Sequence, residues 1–217
     1  MNSRVLTVIL VIGVIGGLLV WIPTAATYDI SRGNQGYEPS QPVAFSHALH
    51  AGDLAVPCLY CHWGAQTSRY AGIPPARVCM NCHRIVTARF GAVLVESQTA
   101  QKEQRLPRRI VSPEIEKVYA ALALDQTMQR DSSKPLKPIA WNLIHTIPDF
   151  VYFDHRAHVG VGVPCQRCHG PVETMERMRQ DVTINMGWCV NCHRDANLTG
   201  VAGRKVAAST DCSICHH

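Results

Sequence analysis

Ten cysteines, in pairs that are each followed by a histidine, are the residues whose types and spacing indicate chemistry. They form five Cys-x-x-Cys-His motifs with no cysteine left over. The cysteines are Cys58, Cys61, Cys79, Cys82, Cys165, Cys168, Cys189, Cys192, Cys212 and Cys215, and the histidines are His62, His83, His169, His193 and His216. Two thiols at this spacing can bond the two vinyl groups on one edge of a porphyrin, and the next imidazole reaches the iron. The motifs predict five covalently attached haem c groups with these histidines as proximal ligands.

Zinc half-sites and redox disulfides are the other common uses of a Cys-x-x-Cys pair. Neither chemistry needs a histidine directly after the second cysteine. With 11 histidines among 217 residues, random placement would put one after all five pairs less than about one time in a million. No motif ends in lysine, the variant that keeps one haem face open for substrate in some multihaem reductases. This argues against a catalytic haem, and we predict no catalytic residue.

Two copies of Phe-x-His-x-x-His, at residues 45–50 and 153–158, predict distal iron ligands. Each copy precedes a Val-Pro-Cys haem motif, and the first copy has one more residue in the gap. Two histidines three apart on a helical turn lie on similar but offset faces, so they can serve two different haems. Electron-transfer haems fill both axial positions. We therefore predict His47, His50, His155 and His158 as distal ligands, with their individual irons left open.

A fifth haem needs a fifth distal ligand, and two side chains compete for the position. His145 stands alone in AWNLIHTIPDF, where a lone histidine is more often a solvated or hydrogen-bonded side chain. We predict it as a ligand. Met186, three residues before Cys189, is the alternative and would replace one of the five histidines; a His/Met haem has a higher potential than a His/His haem. His217 directly follows a proximal ligand, and we interpret it as a bystander.

The spacing of the motifs divides the chain into four parts. Residues 1–26 are a hydrophobic segment and its flank, 27–90 a dihaem module, 91–148 a linker and 149–217 a trihaem module. Within the linker, Ser112-Pro113 is typical of a helix start, and apolar residues then recur at helical spacing, which predicts a helix over about 113–130. Only 6% of residues are aromatic, so haem should supply much of the buried apolar mass. We predict a mainly α fold with much irregular chain around stacked haems, preceded by one N-terminal transmembrane helix.

The hydrophobic segment at residues 5–22 has eighteen residues without a charge, about the lower limit for spanning a bilayer. A signal peptide cleaved after Ala26 is the alternative, and we expect an uncleaved anchor. Arg4 is the only nearby positive charge before it, which places the amino end in the cytoplasm and Trp21 at an interface. The sequence thus predicts a single-pass protein of the cell membrane with its haem domain on the periplasmic side.

The formal net charge of +5 would by itself indicate acidic partners. Five haems would add about ten negative charges through their propionates and offset the charge of the protein. The net charge therefore identifies no partner, and we predict that the chain binds no nucleic acid.

The full pattern resembles a known family. The chain resembles the membrane-anchored pentahaem cytochrome c subunit of bacterial alternative complex III. The features that it shares with this family are the two-plus-three arrangement of motifs, the N-terminal helix and the segments PDFVYFDH and MGWCVNCHR. The Phe-x-His-x-x-His element resembles the class III multihaem cytochromes. The resemblance implies an electron-transfer subunit that receives electrons from an iron–sulfur subunit, beside integral-membrane quinol-binding subunits. A monohaem cytochrome or another external acceptor, such as a copper protein or oxidase, would take the electrons, and mixed His/His and His/Met ligation is implied.

Two other functions compete with this one. A stand-alone membrane-anchored multihaem quinol dehydrogenase places a haem next to the membrane, but 35 residues separate Ile22 from Cys58 here, which disfavours that class. A nitrogen- or sulfur-oxyanion reductase would need one haem with an open axial position.

Overall fold

The computed structural model describes residues 3–27, 34–125 and 127–216, with the side chains of residues 3 and 20–27 outside that description. Within these ranges the chain is helical or irregular, and its β structure is limited to isolated bridges. The helices are α1 (Ser3–Thr27), α2 (Cys58–Cys61), α3 (Gly64–Thr67), α4 (Ala76–His83), α5 (Phe90–Lys102), α6 (Pro113–Ala121), α7 (His155–Val161), α8 (Gln166–His169), α9 (Met186–Thr199) and α10 (Cys212–Cys215), with a π-helix at Ala48–Asp53 and a 3₁₀-helix at Val172–Thr174. The predicted mainly helical, irregular fold is confirmed.

Helix α1 contains the hydrophobic segment. It has 25 residues, and its described side chains, those of residues 4–19, are all exposed. Counted over the described part of the chain, no helix has both the length and the apolar character needed to cross a membrane. The side chains of Trp21 and Ala26, and the whole of His217, lie outside the description.

The protein core is small and lies between α4 and α6. Its buried centre consists of Val43, Met80, Val118 and Tyr119. The hydroxyl group of Tyr119 donates a 2.6 Å hydrogen bond to the carbonyl oxygen of His83, which ties the core to a haem motif. Among the described residues, no large side chain is fully buried. The polypeptide therefore has little apolar core of its own, as the low aromatic content predicts.

Helix α6 begins where its sequence predicts and ends earlier. The Ser112 hydroxyl group accepts a hydrogen bond from the backbone N–H of Ile115 at 3.3 Å, and Pro113 occupies the first turn, as expected of a capped start. The helix ends at Ala121 instead of near residue 130, because Ala123 and Met128 adopt positive φ angles of 52° and 66°. The apolar spacing continues because the turn after the helix packs on the same core.

Helix α5 lies in the segment predicted to be a linker. It has 13 residues, begins without a side-chain cap and contains several β-branched residues, so its sequence signal is weak. Glu96 forms an ion pair with Arg105 beyond the helix end, and Arg105 also pairs with Glu103 at 2.6 Å. These contacts fold the chain after α5 back onto the helix.

Candidate haem sites

Each cysteine pair lies on one helical turn. Helices α2, α4, α9 and α10 carry complete pairs, and α8 begins directly after Cys165. Because residues three apart on a helix lie on the same side, the two thiols of each pair face one direction, as attachment to one porphyrin edge requires. No disulfide joins any two of the ten cysteines.

Electrostatic interactions between thiols, and one hydrogen bond, indicate which pairs are neighbours. Burial and then Cys58, which is also a hydrogen-bond partner, raise the pKa of Cys165. Burial and then Cys82 raise the pKa of Cys61. The pKa of Cys168 is raised to about 11 by burial and then by Cys192, and that of Cys189 is raised by burial and then by Cys215. The pairs therefore adjoin one another in the order 79/82, 58/61, 165/168, 189/192 and 212/215, which differs from their order in the sequence.

The histidine rings are held in one tautomer by backbone carbonyl groups. Six rings each place Nδ1 within 2.9 Å of a carbonyl oxygen. A carbonyl oxygen can only accept, so Nδ1 carries the proton and Nε2 keeps a free lone pair for a metal. The rings and their acceptors are His50 with Ser46, His62 with Gly72, His83 with Val86, His155 with Arg69, His158 with Asp154, and His193 with Ser209.

Three pairs of rings are spaced as two ligands of one iron would be. Two imidazoles bound at about 2 Å on opposite sides of one ion have ring centroids about 6 Å apart. The centroids of His50 and His83 are 6.1 Å apart, and those of His158 and His193 are also 6.1 Å apart. The centroids of His155 and His169 are 6.4 Å apart, with nearly parallel planes. Each pair joins a predicted distal ligand to a predicted proximal ligand.

His47 lies in the electrostatic neighbourhood of His62 in the first module. Burial, followed by the neighbouring His62 and His50, lowers the pKa of His47 to about 4. The ring is therefore neutral near pH 7, as an iron ligand must be. Its Nδ1 atom is buried without a hydrogen-bond partner. The structure thus brings His47 close to His62, the proximal histidine of the first motif.

The two Phe-x-His-x-x-His copies have equivalent geometry. Phe45 stacks on His50 at 4.3 Å and contacts His47 edge-on at 4.9 Å. In the second copy, Phe153 stacks on His158 at 4.6 Å and contacts His155 edge-on at 4.8 Å. The aromatic ring therefore holds both histidines in each copy.

A π-helix accommodates the extra residue of the first copy. At Ala48–Asp53 the chain forms a π-helix, with the N–H of Leu54 donating to the carbonyl oxygen of Leu49 at 2.9 Å. A π-turn accommodates one extra residue within a helical turn. The equivalent element of the second copy, α7, is an ordinary α-helix.

The fifth distal position is not formed by a ring pair of the same kind. The centroid of His145 lies 4.5 Å from that of His169 and the two planes are nearly perpendicular, which is too close for an iron between them. The Nε2 atom of His145 is buried without a partner. His216 stacks on Phe150 at 5.8 Å, and Met186 is 69% exposed at the start of α9.

The donor set fits haem. Each motif offers two thiols for attachment, and three of the five have a second imidazole at the spacing of two ligands on one iron, while a porphyrin would supply the four remaining iron ligands. Over the described ranges, no group of three or more His, Cys, Asp or Glu side chains is arranged to hold a metal ion. The carbonyl acceptors of the histidines are backbone groups of unrelated residue types, so no sequence signal could have identified them.

Comparisons with known proteins find similarity to multihaem cytochromes c. Residues 151–217 match the family model described as cytochrome c7 and related cytochrome c. The chain is 25% identical to the menaquinone reductase multihaem cytochrome c subunit of Nitratidesulfovibrio vulgaris (strain Hildenborough) over 207 residues. The alignment covers 82% of this chain and 78% of that relative. The chain is therefore similar to a multihaem cytochrome c subunit over most of its length, and residues 151–217 are similar to cytochrome c7 and related cytochromes c.

Proposed function

We propose that the chain is a pentahaem c-type cytochrome that transfers electrons as a subunit of a membrane quinone/quinol oxidoreductase complex. The observation that carries this proposal is the series of five adjoining thiol pairs with paired imidazoles beside them. When bound, the five haems would supply a continuous row of redox centres. The chain's own residues attach and orient those centres, and we assign no catalytic residue to it.

Three of the proposed axial ligand assignments are supported by the ring pairs, and the fourth, His47 with His62, is supported by the proximity of the two rings. We assign His47 with His62 and His50 with His83 in the first module. In the second module, we assign His155 with His169 and His158 with His193. The same rule then holds in both copies of the repeat: the first histidine serves the nearer motif, and the second serves the following one.

For the iron of His216 we assign His145, with Met186 as the alternative. The buried Nε2 atom of His145 lacks a hydrogen-bond partner, which is costly unless a ligand completes it, whereas Met186 is exposed. Near-infrared magnetic circular dichroism should show no methionine–iron band in the oxidised protein. A band that disappears in Met186→Leu would instead assign the methionine and leave His145 unbound.

We propose an iron–sulfur subunit and integral-membrane quinol-binding subunits as partners, with a monohaem cytochrome or another external protein as the electron acceptor. This is the arrangement of alternative complex III, in which electrons leave quinol. The relative in Nitratidesulfovibrio vulgaris is named a menaquinone reductase subunit, which favours the opposite direction as the second candidate.

Affinity purification of the full chain from its own membranes tests this proposal. The expected result is co-purification of an iron–sulfur protein and integral-membrane subunits, with haem reduction by added quinol. Reduction of quinone by the pre-reduced complex, without quinol oxidation, would select the second candidate. Isolation of the cytochrome alone with full quinol oxidation would overturn the proposal in favour of a stand-alone quinol dehydrogenase.

We further propose that the whole hydrophobic segment at residues 5–22, whose last side chains lie outside the described ones, anchors the chain in the cell membrane, with the haem sites on the periplasmic side. Support comes from the uncharged run at residues 5–22 and from exposed apolar side chains such as Ile12 and Leu19, which are 65% and 68% exposed. The full chain should remain in membranes after a carbonate wash and should be cleaved by protease in spheroplasts. Release by carbonate or complete protection from protease would contradict the respective part of the assignment.

A further inference from the structure

A single loop after α3 contacts axial histidines of two haem sites. The loop consists of residues 68–72. Near its start, the carbonyl oxygen of Arg69 accepts a 2.9 Å hydrogen bond from Nδ1 of His155. At the other end, the carbonyl oxygen of Gly72 accepts a 2.7 Å hydrogen bond from Nδ1 of His62. His62 belongs to the first module and His155 to the second, so the loop links the two modules at the level of their ligands.

The side chain of Arg69 holds the same part of the second module. Its Nε donates to the carbonyl oxygen of Phe153 at 3.0 Å, and its Nη2 donates to that of Val151 at 3.4 Å. The guanidinium group also lies 4.3 Å from the ring centroid of Tyr152, in the range of a cation–π contact. Arg69 therefore binds residues 151–155 through its side chain and through its backbone.

Close packing restricts the position of the loop. A Cβ atom at Gly64 would lie 2.5 Å from the carbonyl oxygen of Ala71 and 2.8 Å from that of Tyr70. The N–H of Ser68 also donates to the carbonyl oxygen of Gly64 at 2.7 Å. Because the loop abuts α3 this closely, it has little room to follow a displaced second module.

We propose that Arg69 is a positioning residue for the axial ligand His155. Its guanidinium group holds the backbone of residues 151–153 so that its own carbonyl oxygen stays on Nδ1 of His155. It acts where the modules meet, since the same loop also accepts a hydrogen bond from His62 of the first module. This inference rests on the proposed function only in taking His155 as an iron ligand.

Loss of the guanidinium group should have two effects on that haem. A hydrogen bond from Nδ1 increases electron donation by the imidazole and favours ferric iron, so weakening it should raise the midpoint potential. The planes of His155 and His169 are 5° apart, and a released His155 would sample larger angles. The ferric electron paramagnetic resonance (EPR) signal depends on that angle, so the near-parallel signal should broaden or shift.

The test compares Arg69→Ala with a matched control, Arg156→Ala, in the full haem-loaded chain. Arg156 is adjacent to His155 and forms an ion pair with Asp154, so its removal takes away the same charge without touching the backbone contacts of Arg69. In Arg69→Ala, we expect one haem with an altered EPR signal and with a potential more positive than that of the same haem in Arg156→Ala, because both variants lose one positive charge and only Arg69→Ala weakens the hydrogen bond to His155. In Arg156→Ala, we expect an unchanged EPR signal and a potential shifted only in the negative direction, by lost positive charge.

The conservative variant Arg69→Lys keeps the charge and one donor, and we expect it to restore part of the native signal. It also keeps the test decisive if the alanine variant does not fold. Equal potential shifts and unchanged EPR signals in the two alanine variants would mean that Arg69 affects the haem only through its charge. That result would overturn the inference. Unaltered haem content and partner binding in Arg69→Ala would separate that failure from a failure of the proposed function.

Discussion

At the scale of residues, the paired imidazoles differ in the angle between their planes. The angle is 5° for His155 and His169, 31° for His158 and His193 and 64° for His50 and His83. Backbone carbonyls fix most of these rings through Nδ1, so the angles are set by the surrounding chain. The sequence predicts which residues bind iron but contains no information on these angles.

We expect the oxidised protein to show at least two kinds of low-spin ferric EPR signal, one from near-parallel and one from steeply crossed imidazoles. His50→Met should remove the steeply crossed signal, because it replaces one ring of that pair, and should leave the near-parallel signal unchanged. His155→Met is the matched variant and should do the reverse. If both variants affect the same signal, the ligand pairs assigned here are wrong.

An ion pair gives the region after α5 a predictable pH dependence. Hydrogen bonds from the Arg105 side chain and the Arg108 backbone N–H lower the pKa of Glu96 from 4.5 to about 2. A carboxylate with a depressed pKa stabilises the fold above its unfolded pKa, and that contribution disappears as pH falls through the folded pKa. The stabilisation should therefore be complete above about pH 5 and be lost towards pH 2.

Urea midpoints of the native chain and of Glu96→Gln should converge as pH falls from 5 to 2, with Glu96→Gln less stable at pH 7. The exposed carboxylate of Glu176 supplies the control, and Glu176→Gln should follow the native curve. A constant difference between the native chain and Glu96→Gln across this range would show that the ion pair does not carry the effect.

At the scale of elements, the sequence predicts the start of helix α6 better than its end. The Ser112-Pro113 cap is local chemistry, and α6 begins there. Its end depends on the turn that returns Met128 to the core, which is a tertiary contact. The one-residue difference between the repeats is visible in the sequence, but its accommodation as a π-helix is not. That outcome depends on packing of the π-helix against Val172–Thr174.

This packing makes Gly52 a sensitive position. A Cβ atom there would lie 2.4 Å from the carbonyl oxygen of Glu173, so Gly52→Ala should force the two elements apart and destabilise the protein by about 1–3 kcal/mol. Gly91→Ala on α5 meets no atom within 4 Å and should be neutral or stabilise by up to about 1 kcal/mol. Chemical denaturation of both haem-loaded variants measures the difference. Equal midpoints would contradict the packing described here.

At the scale of the whole molecule, the spatial order of the sites differs from their order in the sequence. The 58/61 cysteine pair comes first in the chain but lies between the 79/82 and 165/168 pairs, as the interactions of its thiols with Cys82 and Cys165 indicate. Motif spacing could predict five sites and two modules, whereas the order of neighbours requires the folded chain. The row of haem sites passes from the first module to the second at the loop that contains Arg69. The small protein core is consistent with a fold organised around its cofactors.

The most direct test of this account is the number of low-spin haems per chain, obtained by combining haem and protein quantification with integrated EPR signals of the oxidised, full-length protein. The account predicts five covalently bound haems, all low-spin and unchanged by cyanide or nitrite, because each iron has two protein ligands. Fewer than five haems, or a high-spin haem that binds these anions, would contradict it.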